Sequence, residues 1–234
     1  MQDAQVPERG VGQLAYGILL YPYTEVNILA RRIVIDIETV PRPGIMDTWY
    51  PQWASEKYPG KEGQDLEDMA ALHGEFGMIT AVAYVNALTD EEPKVFTAGS
   101  VEEEAEMLEE VYPTLNNMGM TLMGHNIKGF DIPFLAKRYI AQCNRLPGSL
   151  NVGGLKPWEV PHKDTMEIMR FGGGPSMSLR SACLLFGIKD PKEATCGSEV
   201  AELFRQGKIA EIGQYCAGDV VAERALIRKL SDVM

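Results

Sequence analysis

The segment 31–39, Arg-Arg-Ile-Val-Ile-Asp-Ile-Glu-Thr, constrains this chain most. Ile33, Val34, Ile35 and Ile37 are β-branched and apolar. Branched side chains fit a pleated sheet and pack on both of its faces, so the run predicts a buried central strand. Asp36 and Glu38 interrupt it at a spacing of two. Residues i and i+2 of a strand share a face, which turns both carboxylates the same way. Side by side on a core strand they repel and are costly to desolvate, and divalent cations would offset both effects. The alternative is a strand that has reached its solvated end.

A chain of 234 residues can bury one sizeable core or two small ones. No internal repeat or linker divides it. Residues 1–32 show no clean period and are set apart as an N-terminal extension of uncertain structure; 33–234 read as one domain. Within that domain 41–75 look like an insertion, opened by Pro41-Arg42-Pro43-Gly44. The insertion carries a short helix over 64–73. Trp49, Tyr50 and Trp53 are expected in a satellite apolar cluster, with base stacking as the alternative.

Two strands, 76–85 and 94–97, follow across a turn holding Asn86, Asp90 and Pro93. Ser100 with Glu103 three residues on predicts a capped helix. Its apolar face is Val101, Ala105, Leu108, Val111 and Tyr112, and its solvated face takes Glu102, Glu103, Glu104, Glu106, Glu109 and Glu110. A short strand over 121–123, a helix over 130–142, a fifth strand over 160–164 and helices over 178–186, 199–206 and 210–230 complete the chain. Pro133 sits in the first turn of its helix, where a missing N–H costs little. This order predicts an α/β fold whose mixed five-stranded sheet joins an antiparallel meander to parallel strands.

Cys143, Cys183, Cys196 and Cys216 lack the short spacings of a zinc knuckle or redox dithiol, so free thiols in a reducing, cytoplasmic compartment are expected. The apolar run 14–20 is too short to span a bilayer, and Asp3 and Glu8 stand where a secretory signal would be basic. A membrane role is not expected. The net charge of −11 is unevenly spread: residues 1–119 carry −14, 120–192 carry +5 and 193–234 carry −2. The middle third is thus able to face phosphates, with ordinary surface charge as the plainer reading.

Two more acidic positions join the first pair. Asp131 opens a helix within Gly124-His125-Asn126-Ile127-Lys128-Gly129-Phe130-Asp131-Ile132-Pro133, where an N-cap is its plain role. Tyr215 and Asp219 lie four apart on the last helix and share a face. Asp36-x-Glu38, Asn126-x4-Asp131 and Tyr215-x3-Asp219, in that order, resemble the DEDD superfamily of 3′–5′ exonucleases. Tyr-x3-Asp is the form of its tyrosine subclass; the histidine subclass would place His where Gln214 stands. The second motif is similar to the exonuclease domain of family B DNA polymerases, and the stand-alone PolB-like exonucleases are the group resembled. The resemblance covers about residues 33–230.

That resemblance implies a ribonuclease H-like fold and phosphodiester hydrolysis with two divalent cations, Mg²⁺ or Mn²⁺, about 3.5–4 Å apart. It implies Asp36 as the bridge between ions, Glu38 and Asp219 completing the water-activating site, and Asp131 supporting the second ion. Tyr215 would orient water. Thr39 resembles the position whose backbone N–H holds the 3′-hydroxyl; Asn126, His125, Lys128 and Phe130 would face substrate. Pro41-Arg42-Pro43 departs from the apolar wedge of some relatives. Lys128, Lys137, Arg138 and Arg180 are candidate phosphate contacts. The implied partner is a nucleic-acid 3′ end, single-stranded DNA before RNA, with a polymerase or repair protein supplying context such as proofreading. A non-catalytic end-binding subunit is the other reading; its mark would be a lost motif carboxylate, and none is lost.

Overall fold

The computed structural model describes residues 32–189 and 199–233. The expected N-terminal extension, up to residue 31, and Cys196 lie outside the described residues. β1 (Arg32–Pro41) is the predicted strand. After it come α1 (Tyr50–Lys57), α2 (Gly63–Asp68) and a 3-10 turn at Met69–Leu72. β2 (Gly77–Asn86), β3 (Lys94–Thr97), α3 (Val101–Leu115), β4 (Thr121–Gly124), α4 (Asp131–Cys143) and β5 (Lys163–Asp164) follow. The chain continues through α5 (Thr165–Met169), α6 (Leu179–Phe186), α7 (Val200–Arg205) and α8 (Ile209–Lys229).

The five strands form one sheet in the order β3-β2-β1-β4-β5. β1 and β3 run antiparallel to β2, whereas β4 and β5 run parallel to β1, so the sheet is mixed as expected. β1 is central, and its alternation sorts the two cores. Ile33, Ile35 and Ile37 pack on α3 and α4 together with Leu108, Val111, Leu135 and Tyr139. Val34 and Val40 pack on α8 through Ile212, Cys216 and Val220. Asp36 and Glu38 therefore belong to the α8 face.

Two side chains correct the sequence reading. Glu104 is fully buried instead of solvated. It falls on the inward stripe Val101-Glu104-Leu108-Val111-Leu115, at spacings three and four. Arg138, a candidate phosphate contact, is its partner and equally internal: Nη2 lies 2.5 Å from Glu104 Oε2 and Nε 2.9 Å from Oε1. Glu104 Oε1 also accepts the Ile79 N–H at 2.7 Å. A buried acid persists here because a guanidinium, one backbone N–H and the Gln142 amide meet its two oxygens.

Residues 45–76 build a separate aromatic cluster on Tyr50, Trp53, Tyr58 and Phe76. Tyr50 is wholly buried and donates its hydroxyl to the Leu66 carbonyl at 2.7 Å, while Trp49, 65% exposed, sits at the rim of the cluster with its ring edge-on to Phe76 at 5.3 Å. The fifth strand is only two residues long: it ends at Asp164 as expected, where that residue caps α5, but its pairing with β4 begins only at Lys163. Cys143, Cys183 and Cys216 are free thiols. Among the described residues no helix is long and apolar enough to cross a membrane.

Candidate functional site

The site forms where β1 outruns its parallel neighbour. β1 pairs with β4 only from Arg32 to Val34, and β4 ends at Gly124. The Ile37 N–H, beyond the reach of that ladder, donates to Asp131 Oδ1 at 3.1 Å. Asp131 thus enters as the first residue of α4, swung under the free edge of β1. It is 4% exposed. A bulge after Glu38 shifts the β1–β2 register by one residue just where the carboxylates point. From the other side α8 delivers Tyr215 and Asp219, both buried. Asp36, Glu38 and Asp219 can each present one oxygen within 4.8 Å of the others.

The turn leading to Asp131 is shaped by backbone demands. Asn126 adopts φ 68°, a left-handed conformation that its short polar side chain tolerates. Its carbonyl accepts the Gly129 and Phe130 N–H groups. A Cβ at Gly129 would lie 2.6 Å from Asn126 Oδ1, so any other residue there would displace the Asn126 side chain. Asp164, buried at the end of β5, accepts the N–H groups of Asn126 and Lys128 as well as those of Met166 and Glu167. One carboxylate therefore caps α5 and clamps the turn. The Thr165 hydroxyl donates to the Gly124 carbonyl at 3.1 Å, tying the same turn to α5.

The electrostatics follow from this crowding. Burial pushes the Asp36 carboxyl well above the usual range, and Glu38, Asp131, Glu223 and Asp219 push it further. Asp131 is raised to about 7, chiefly by burial, although its backbone hydrogen bonds oppose the shift. Glu223, which the sequence reading passed over, is 1% exposed and raised by burial and by Asp131 and Asp219. Its Oε1 accepts the His125 N–H at 3.1 Å. Cys216 is fully buried, and its thiol donates to Asp36 through both the carbonyl oxygen and Oδ2, each at 3.3 Å. One sequence signal could have found Glu223: Tyr215, Asp219 and Glu223 repeat at four-residue spacing along one helix face.

The expected substrate contacts are dispersed. Glu38, Thr39 and Phe130 line a cleft of about 490 Å³ whose far wall includes Met69, Leu72 and Ala201. The Thr39 hydroxyl donates to the Ala71 carbonyl at 2.7 Å, so the 69–72 turn is tied to the strand beside the carboxylates. His125 donates Nε2–H to the Met177 carbonyl at 2.7 Å, and its Nδ1 lies 2.9 Å from Thr165 Oγ1. Lys128 pairs with Glu167 at 2.7 Å, and Lys137 with Glu75 at 2.6 Å.

Comparison with known proteins agrees with this architecture. Residues 70–227 match a family model described as "Predicted 3'-5' exonuclease related to the exonuclease domain of PolB". That span includes Asp131, Tyr215, Asp219 and Glu223 and begins after β1. The family B DNA polymerase of the hyperthermophilic archaeon Pyrobaculum calidifontis shares the fold, with a TM-score of 0.52 and 18% identity. The similarity covers 86% of this chain and 24% of the polymerase, so the chain spans about a quarter of that protein. Escherichia coli exonuclease I, in complex with a dT13 oligonucleotide, gives a TM-score of 0.49 at 12% identity, over 86% of this chain and 40% of that one. Among curated proteins none shows significant similarity to this chain. The fold is that of the ribonuclease H-like exonucleases: a mixed five-stranded sheet flanked by helices.

Proposed function

The chain belongs to the family of predicted 3′–5′ exonucleases related to the exonuclease domain of PolB, and from that premise we propose that it removes nucleotides from the 3′ end of single-stranded DNA with two divalent cations. The observation that carries this reading is the convergence of Asp36, Glu38 and Asp219 within 4.8 Å, beside the buried Asp131. Three hard oxygen donors at that spacing suit Mg²⁺ or Mn²⁺. Asp36, Glu38 and Asp219 would hold one ion, and Asp36 with Asp131 the other. Bound ions would activate water and stabilise charge on the attacking and leaving oxygens of the phosphodiester.

The protein's own groups supply position. Tyr215 lies one helical turn before Asp219 and orients the attacking water with its hydroxyl. A phenol ordinarily titrates near pH 10, so orientation, and not proton removal, is its task. The 3′-terminal nucleotide enters the cleft beside Glu38, where Leu72 and Phe130 give apolar walls and the Thr39 backbone N–H meets the 3′-hydroxyl. At about 490 Å³ the cleft has the size of a small-molecule pocket and would admit a terminal nucleotide. Asn126 and Lys128 shape the approach of the chain behind it. A polymerase or repair protein would present the DNA end.

The test is degradation of a 5′-labelled single-stranded DNA and a matched RNA in Mg²⁺, Mn²⁺ or EDTA, with Asp36→Ala alongside. The expected result is a ladder shortening from the 3′ end of the DNA, lost in EDTA and in the variant. Failure to release nucleotides in either metal, with the oligonucleotide still bound, overturns the catalytic reading.

A further inference from the structure

Glu223 is a fifth carboxylate at this site, buried like Asp131 and Asp219, and nothing in the three motifs accounts for it. It sits one turn beyond Asp219 on the same face of α8. Its two oxygens differ. Oε1 accepts the His125 N–H, which holds the carboxylate against the turn that leads to Asp131. Oε2 is buried and has no hydrogen-bond partner. A buried acceptor left unmet costs about 1–3 kcal/mol, more when charged. The backbone makes room for that oxygen: a Cβ at Gly124 would lie 3.0 Å from Oε2 and 2.9 Å from the Ile35 carbonyl. The His125 N–H that holds Oε1 opens the turn ending at Asp131, which sets this carboxylate beside the Asp131 side of the cluster.

Building on the two-cation reading above, we infer that Glu223 is a positioning carboxylate for the second cation, its Oε2 accepting a hydrogen bond from a water that the ion retains. Magnesium dehydrates reluctantly and keeps several waters when few carboxylates hold it directly. The ion on the Asp131 side has the sparser set of protein ligands in the proposed scheme. An acceptor fixed by a backbone N–H is what such a water needs, because outer partners set both the orientation and the affinity of a metal centre. The same carboxylate links the ion to the turn. His125 N–H and Gly124 fix Glu223, and the turn they begin ends at Asp131, so one arrangement would align both.

Glu223→Gln separates this role from a structural one, because the amide retains an acceptor for His125 but loses the second charged oxygen. Mn²⁺ binding, followed by calorimetry and by electron paramagnetic resonance, should show two ions in the wild type. In the variant the weaker site should lose about 10- to 100-fold in affinity, the usual range for an outer-shell partner. The Mg²⁺ concentration for half-maximal cleavage should rise in proportion. In EDTA the variant should melt no lower than the wild type, since a buried charge has gone. An unchanged Mn²⁺ titration, or a variant that melts lower in EDTA while binding both ions normally, overturns the inference. Absence of Mn²⁺ binding by the wild type overturns the two-cation reading, and this inference with it.

Discussion

The two faces of the sheet each bury acids, and they handle them in opposite ways. On the α3–α4 face Glu104 is closed: Arg138, the Ile79 N–H and Gln142 occupy its oxygens. On the α8 face burial and then the neighbouring acids Glu38, Asp131, Glu223 and Asp219 push the Asp36 carboxyl up, and the weak Cys216 thiol donates to it. A buried ion pair with full hydrogen bonding is a finished piece of structure. A cluster of like charges with a buried free oxygen at Glu223 lacks that closure, which the proposed cations would supply. The difference teaches that burial of an acid says little about function until its partners are counted.

The largest effect that sharpens this contrast comes from Asp36→Asn. Hydrolysis should fall at least about 10⁴-fold, equivalent to ~5.5 kcal/mol of barrier. In EDTA the same variant should melt higher than the wild type, because it removes one of several repelling charges. Single-turnover kinetics and calorimetry measure the two. A variant that loses stability along with activity would make the α8 cluster structural, like its counterpart.

Arg138→Met should do the reverse. It leaves Glu104 buried and uncompensated, which costs about 3–5 kcal/mol of stability in urea denaturation. The double variant Glu104→Gln/Arg138→Met should recover most of that loss, since the buried charge is gone and the amide oxygen still accepts the Ile79 N–H. Neither change should alter the metal concentration needed for cleavage. A shift in that requirement would break the separation of the two faces.

A smaller effect lies in the pH dependence of the metal-free protein. Asp131 is raised to about 7 in the folded state from an ordinary value near 4. A carboxyl that binds its proton more tightly when folded stabilises the fold fully below the unfolded value, and that contribution is lost as pH rises through the folded one. In EDTA the melting temperature should therefore fall between about pH 4 and pH 7. Asp131→Asn should flatten part of this slope, because the amide still accepts the Ile37 N–H. Saturating Mn²⁺ should reverse the trend, since cations bind the ionised form. A wild type and variant with parallel profiles would remove Asp131 from the titrating cluster.

What was legible in the sequence follows the range of each interaction. The β-branched run of β1 and the Ser100 cap with Glu103 are local signals, and both appear where expected. Asp36 and Glu38 share a face by strand period alone, as Tyr215 and Asp219 do by helical period. The short α1 and α5 escaped notice; α5 has only five residues and is organised by the Asp164 cap. Glu104 looked solvated because its partner Arg138 stands 34 residues away on another helix. Glu223 continues the four-residue repeat of Tyr215 and Asp219, but its place at the site depends on the His125 N–H that orients it from 98 residues away. The motif acids were recognised by their spacing and order, whereas their supporting groups are defined by contacts that no local pattern encodes.

The smallest expected effect tests whether any soft ligand belongs to the α8 cluster. Cys216 touches Asp36 twice, yet a thiol is a weak donor and both contacts are 3.3 Å. Burial, helped by Asp36 and Glu38, pushes this thiol well above its usual range, so it remains protonated beside the carboxylates. A protonated thiol is not a metal ligand. Cys216→Ala should accordingly change Mn²⁺ affinity by no more than about threefold, ~0.6 kcal/mol, which is the scale of one weak hydrogen bond. It should also leave the preference between Mg²⁺ and Cd²⁺ as it was. A marked loss of Cd²⁺ binding would show the thiolate forming at the metal, because sulfur selects soft cations and carboxylate oxygen does not. The cluster would then be a mixed-ligand centre, and its contrast with the closed pair at Glu104 would rest on ligand chemistry as well as on charge.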